Sequence, residues 1–131
     1  MNLKIYAYQN CGTCRKAFKF LDACGVKYTT TPIREQPPTR VELKKMLRIC
    51  GRDVRKLFNT SGQDYKRLNL KDKLPKMGKD EAIELLTRNG NLVKRPFVLT
   101  KAGGLPGFNE MEWKNFVEMK CGANGQRRNL P

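Results

Sequence analysis

Two hydrophobic periods alternate along this chain. Leu3-Lys4-Ile5-Tyr6-Ala7-Tyr8 is an apolar run of strand length. Lys16-Ala17-Phe18-Lys19-Phe20-Leu21 follows helical spacing and reads as an amphipathic helix, with Gly25 as its C-cap. Val26-Lys27-Tyr28-Thr29-Thr30-Thr31 is rich in β-branched and aromatic residues and reads as a second strand ended by Pro32. Strand, helix and strand make a βαβ unit, whose strands should be parallel with a right-handed crossover.

The pattern then turns helical for a long stretch. After the connector Glu35-Gln36-Pro37-Pro38, Thr39 has Glu42 three residues on, the spacing of a capping box. Val41, Leu43, Met46, Leu47 and Cys50 form an apolar stripe that Gly51 closes. Val54, Leu57 and Phe58 make a short helical turn, broken by Thr60-Ser61-Gly62. Tyr65, Leu68 and Leu70 anchor the next piece. Lys79 to Asn89 is a helix with Ala82, Ile83, Leu85 and Leu86 on its core side and Gly90 as its cap. Arg95-Pro96-Phe97-Val98-Leu99-Thr100 reads as a third strand and Leu105-Pro106-Gly107-Phe108 as a short fourth, together a hairpin. Asn109 caps a final helix with Met111, Trp113, Phe116 and Val117 toward the core. From Lys120 on, Gly, Asn, Gln and Arg predict a disordered tail over 120–131.

The order β-α-β, helices, β-β-α predicts an α/β domain over residues 1–119. It has an open mixed sheet flanked by helices and a helical subdomain inserted at about 33–90. The 131 residues suffice for one modest core. No apolar run approaches the roughly 20 residues of a membrane helix, so no membrane partner is expected. No basic-then-apolar leader precedes the first strand, which predicts a chain without a secretory signal.

Charge and cysteine usage narrow the chemistry. The net charge of +15 is spread along the chain, which favours acidic partners such as oxyanions, nucleic acid or an acidic protein face. No basic–aromatic interleaving accompanies the basic residues, so direct nucleic-acid binding is not expected. Arg40, Lys44, Lys45, Arg48, Arg52, Arg55 and Lys56 make either a solvated face or a partner surface. There is no histidine, which removes imidazole general bases and Cys₂His₂ zinc sites. Of the five cysteines only Cys11 and Cys14 have motif spacing, and no second pair exists to complete a metal site. Cys24 and Cys50 read as buried and inert, and Cys121 as an exposed thiol.

Asn10-Cys11-Gly12-Thr13-Cys14-Arg15 therefore carries the candidate chemistry. It lies at the turn from strand to helix, where unpaired N–H groups and the helix dipole favour a thiolate on Cys11. Cys14, one turn on, is placed to attack a mixed disulfide on Cys11. Arg15 either holds the thiolate or an incoming anion, or is a solvated charge. Asn10 and Thr13 flank the nucleophile and could donate to a bound oxyanion. With Gly12 they form the expected substrate-binding set on this loop.

Four pieces of sequence resemble one family. They are Cys11-Gly12-Thr13-Cys14-Arg15-Lys16-Ala17, then Glu35-Gln36-Pro37-Pro38-Thr39, then Phe58-Asn59-Thr60-Ser61-Gly62 with Tyr65, Leu68 and Asn69, and lastly Lys94-Arg95-Pro96 with Gly107-Phe108-Asn109-Glu110. Taken in order, from about Leu3 to Met119, they resemble the arsenate reductase (ArsC)-like and Spx-type branch of the thioredoxin-fold superfamily. The resemblance implies a thioredoxin-like fold with a four-stranded mixed sheet. It also implies a nucleophilic Cys11 and a cis-Pro96 beside the cysteine loop, which adds Pro96 to the substrate-binding set and makes Arg95 either the second catalytic cation or a plain surface charge. Of the three oxyanion arginines of the glutathione-coupled enzymes, Arg95 matches one, while the other two positions fall near Asn59 and Gly107. Cys14 stands where those enzymes commonly carry serine, which suggests an intramolecular disulfide.

The function so implied is reduction of an arsenate-like oxyanion or a disulfide by a bacterial cytoplasmic protein. No bound cofactor is expected. The electrons would come from an external thiol donor, glutathione with glutaredoxin or thioredoxin. The alternative is an Spx-like redox-sensing regulator that binds the RNA polymerase alpha C-terminal domain, with Gly51 in the nominated region.

Overall fold

The computed structural model describes residues 2–101 and 103–120. Strand β1 (Asn2–Ala7) leads into helix α1 (Gly12–Cys24), which returns the chain to strand β2 (Lys27–Pro32). The two strands pair in parallel from Asn2 opposite Lys27 to Ala7 opposite Pro32. Gly25 ends α1 at φ 69°, its N–H donating to the carbonyls of Leu21 and Asp22. β2 begins one residue later than expected and includes Pro32. Proline is tolerated there because β2 is an edge strand.

Between β2 and the hairpin lie helices α2 (Arg40–Ile49), α3 (Gln63–Arg67), α4 (Leu70–Lys73) and α5 (Lys79–Arg88), with 3-10 turns at Val54–Leu57, Leu74–Lys76 and Gly90–Leu92. Strand β3 (Phe97–Leu99) then runs antiparallel to β1, and β4 (Gly104–Pro106) antiparallel to β3. The sheet order is β2-β1-β3-β4. Helix α6 (Glu110–Lys120) follows, its start capped by the Asn109 side chain accepting from the Glu112 N–H at 3.0 Å. The hairpin strands are shorter than the sequence suggests. Arg95 and Pro96 precede the ladder, and Phe108 packs half-buried beyond it.

Alternation along β1 explains why its run is apolar apart from the exposed Lys4. Leu3, Ile5 and Ala7 join Ala17, Leu21, Val98, Trp113 and Phe116 in a core beneath α1 and α6. Tyr6 faces the other side, with Leu43, Met46, Phe58, Ile83, Phe97 and Leu99 beneath the inserted helices. Both faces are covered over most of the strand, so neither is a polar face, and Lys4 reaches solvent.

Three sequence expectations are corrected here. Val41 and Met111 are exposed, at 77% and 73%, and do not belong to the core stripes of α2 and α6. Each lies in the first turn of its helix, where the rest of the stripe already covers the neighbouring core. Gly90 is not a left-handed helix cap: α5 ends at Asn89 in extended geometry. Gly90 is required because a Cβ would stand 1.8 Å from the Ile33 carbonyl oxygen. Cys24 and Cys50 are half-buried, not buried. Of the predicted tail over 120–131, Lys120 is instead the last residue of α6, and 121–131, with Cys121, lie outside the described residues. No helix among the described residues is long and apolar enough to cross a membrane.

Candidate active site

Topology brings the candidate residues to one edge of the sheet. β1 and β2 are parallel, so the loops leaving them, Tyr8–Cys11 and Ile33–Arg34, start side by side. The Ile33 N–H donates to the Ala7 carbonyl at 3.0 Å and ties them together. β3 is antiparallel, so its entry, Lys94-Arg95-Pro96, reaches the same edge. The Arg95–Pro96 peptide is cis, as the resemblance implies, and Pro96 is buried.

Cys11 is the N-cap residue of α1. Its Sγ accepts from the Cys14 N–H at 3.4 Å, and its own N–H donates to the Tyr8 carbonyl at 3.0 Å. Both cysteines are free thiols. Cys11 is partly exposed, whereas Cys14 is fully buried. Their acidities are driven apart. Burial alone would raise the Cys11 thiol, but the Cys14 N–H, the Cys14 thiol, the Arg95 charge and the Thr13 N–H outweigh it. The result lies below the ordinary thiol value. The Cys14 thiol is pushed up to about 12, first by burial and then by the hydrogen bond and negative charge of Cys11. The Tyr8 backbone and Arg95 act in the opposite direction. A low-pKa, accessible sulfur beside a buried protonated one is the asymmetry of an attacking and a resolving thiol.

The remaining expected residues distribute unevenly. Arg95 bears on both sulfurs through its charge. Arg15 is exposed, and its helical link to Cys11 is a backbone bond from its N–H to the Cys11 carbonyl at 3.0 Å. Asn10 is exposed and donates to the Tyr8 hydroxyl at 3.3 Å. Gly12 and Thr13 are exposed on the first turn, and a Cβ at Gly12 would meet open space. Where the resemblance looks for two more arginines, Asn59 donates to the Asn91 carbonyl at 3.5 Å. Gly107 takes φ 77°, with Lys94 Cε only 2.8 Å from where a Cβ would stand. No cluster of three or more His, Cys, Asp or Glu side chains that could hold a metal occurs among the described residues.

Sequence reasoning missed two features that border Tyr8. A groove of about 560 Å³ runs between the cysteine loop and β2, floored by Ala7, Phe18, Thr31 and Pro32. Tyr8 also lines a smaller pocket of about 230 Å³ with Arg34, Asn59, Asn91 and Arg95. Arg34 lies over the Tyr8 ring at 4.7 Å from its centroid, and Arg95 at 5.7 Å. The signal for Arg34 was available in the topology, since parallel neighbours place their exit loops on one edge.

Comparison with known proteins fits this geometry. A profile of the ArsC family matches residues 6–116. An uncharacterized protein of Bacillus subtilis, YusI, is 45% identical over 87% of this chain and 97% of its own length. The regulatory protein MgsR of the same organism is 30% identical over 84% of this chain and 86% of its own. An arsenate reductase of Escherichia coli is 31% identical over 78% of this chain and 71% of its own. Among solved structures, a putative ArsC family related protein from Bacteroides fragilis superposes with a TM-score of 0.83 at 44% identity. The match covers 88% of this chain and 97% of that one. With its cysteine loop at the head of α1 and its four-stranded mixed sheet in the order β2-β1-β3-β4, this chain belongs to the ArsC family and has its thioredoxin-like fold.

Proposed function

We propose that this chain is a thiol-dependent oxidoreductase in which Cys11 is the nucleophile and Cys14 the resolving thiol. The observation that carries the reading is the opposed acidity of two free thiols on one helical turn. The Cys11 thiolate attacks a substrate disulfide, forms a mixed disulfide and expels one thiolate. Cys14 then loses its proton to water and attacks Cys11 Sγ, closing a Cys11–Cys14 disulfide and expelling the second thiolate. Two protein thiols are oxidised and one substrate disulfide is reduced. An external dithiol of the thioredoxin or glutaredoxin class, in the bacterial cytoplasm, restores both cysteines.

The acidity of Cys14 changes in step with this sequence. Two influences that raise it, the hydrogen bond and the charge of Cys11, vanish once Cys11 is in an adduct. Arg95 remains and favours the Cys14 thiolate. Arg95 also orients an anionic group at Cys11, with Asn10, Gly12, Thr13 and Pro96 framing the bound substrate and Arg15 at its solvent side. Arsenate fits less well than a disulfide, because Asn59 and Gly107 stand at two expected oxyanion arginines and a developing oxyanion needs placed donors.

Trapping the thiols in defined glutathione and dithiothreitol buffers tests the reading by mass spectrometry. A reversible Cys11–Cys14 disulfide with a potential between about −300 and −180 mV is expected, within the range of cellular thiol systems. Cys14→Ser should accumulate the mixed disulfide on Cys11. Absence of the intramolecular disulfide in every buffer would overturn the resolving role. A second reading rests on the similarity to MgsR: a redox-sensing regulator that uses the same disulfide to alter binding to the RNA polymerase alpha C-terminal domain. Oxidation-dependent binding to that domain, without turnover, would favour it.

A further inference from the structure

Arg95 holds a nitrogen that the fold leaves unanswered. Its Nη1 is buried and has no hydrogen-bond partner. A buried guanidinium N–H without an acceptor costs more than a neutral one. Such an atom in a native fold asks for an acceptor, a water or a bound polar group. Other parts of the Arg95 side chain line a pocket of about 230 Å³, room for more than one water. A second guanidinium, Arg34, lines the same pocket, and the Tyr8 ring lies close to both. Neither arginine has an ion-pair partner among the described residues. The one carboxylate in the lining, Asp64, already accepts from Arg67 at 2.8 Å, Asn89 at 3.0 Å and Asn91 at 3.4 Å.

The pocket is also joined to the nucleophile. The Tyr8 carbonyl accepts the Cys11 N–H, and the Arg95 charge acts on Cys11. A group held between Arg34 and Arg95 would thus belong to the molecule reacting at Cys11. We infer that Arg34, Tyr8 and Arg95 form an oxyanion clamp, with Arg34 as a specificity-determining residue. The clamp holds a carboxylate borne by a small disulfide or a free tetrahedral oxyanion. Arg34 takes over, from a different loop, the charge that Asn59 and Gly107 do not supply. The inference rests on the redox reading of Cys11 given above.

The test compares two disulfide reagents on the full chain: the dicarboxylate disulfide of thionitrobenzoate and neutral dithiodipyridine. Each is attacked by the Cys11 thiolate, which forms a mixed disulfide and expels one aryl thiolate that is read by absorbance. The quantity read is the ratio of the two rate constants in wild type, Arg34→Gln and Arg34→Lys. The glutamine variant should lower the ratio about tenfold, the effect of one charge-assisted hydrogen bond in a site open to water. The lysine variant should recover part of it through charge alone. The wild-type preference should shrink as salt rises. Inorganic arsenate or phosphate at fixed ionic strength separates the sources. Protection of Cys11 in wild type but not in Arg34→Gln assigns a free oxyanion, and a lowered ratio without protection assigns the tethered carboxylate. An unchanged ratio, within about twofold, together with no Arg34-dependent protection overturns the clamp. Failure of wild-type Cys11 to react with either reagent overturns instead the redox reading on which the clamp depends.

Discussion

At the scale of the residue, the two sulfurs of the Cys11 loop titrate in opposite directions. Cys11 ionises below the ordinary thiol range because N–H groups at the helix start and the Arg95 charge outweigh its burial. Alkylation of Cys11 should therefore saturate at a lower pH than that of a model thiol. Arg95→Gln should shift the profile upward, and the ultraviolet absorbance of the thiolate reads the shift directly. The unfolded state holds the Cys11 proton to higher pH than the folded state does. Its contribution to stability is thus full above the ordinary thiol value of 9.0 and is lost as the pH falls through the folded pKa. Cys14 contributes with the opposite sign: between 9.0 and about 12 the folded state keeps the proton, and stability falls as the pH rises. Cys11→Ser should lower the Cys14 value, since it removes the neighbouring negative charge, while burial still holds it above that of a free thiol.

At the scale of the element, helix ends and close approaches position the site. Thr39 caps α2 with the reciprocal bonds of a capping box, as its spacing with Glu42 predicts. The sequence did not show that Glu42 has two further partners. It accepts from the Tyr6 hydroxyl at 2.6 Å and from Lys4 at 2.9 Å, and so ties the inserted helices to β1. Thr39→Ala should cost about 1 kcal/mol in chemical denaturation. Gly90 belongs to another class. The residue after β2 passes so close that a methyl group would enter the Ile33 carbonyl, and backbone rather than a flexible side chain would have to move. Gly90→Ala should therefore destabilise by at least about 3 kcal/mol, the upper end of overpacking costs. It should also displace Arg34, next to Ile33. A lowered denaturation midpoint accompanied by a lowered preference for the carboxylate reagent would report both effects.

At the scale of the molecule, two cores share one narrow sheet. Trp113 is fully buried and donates from its indole Nε1 to the Gly107 carbonyl at 2.8 Å, linking α6 to the chain just after β4. Trp113→Ala should cost about 3–5 kcal/mol, and more than a typical cavity of that size because a carbonyl loses its donor. The +15 net charge acts over the whole surface, and ion pairs such as Arg40–Glu84, Lys44–Asp80 and Lys4–Glu42 offset only part of it. Self-repulsion of that size is screened by salt. The melting temperature should rise between about 10 and 150 mM salt, against the usual expectation for a fold held by surface pairs. A flat or falling dependence would show that the charges are locally compensated.

Local chemistry was enough to place most of the elements. Period, β-branching, capping spacing and glycine located the strands and the longer helices, because these signals act over a few residues. The cysteine loop at the start of α1 was legible for the same reason. The first-turn exposure of Val41 and Met111, the close approach at Gly90 and the half-burial of Cys24 and Cys50 were not, because each depends on what a distant segment packs against. The split between the two thiols was decided in the same way. Spacing put Cys11 and Cys14 one turn apart. Only the packed structure buried one, left the other partly open and brought Arg95 to both from more than eighty residues away. Arg34 shows the boundary most plainly. In the sequence it is one basic residue among 27, and parallel pairing of β1 with β2 makes it a neighbour of Tyr8. Hydrogen bonding along the chain is a local matter, whereas the field at a sulfur is a sum over everything the fold brings near it.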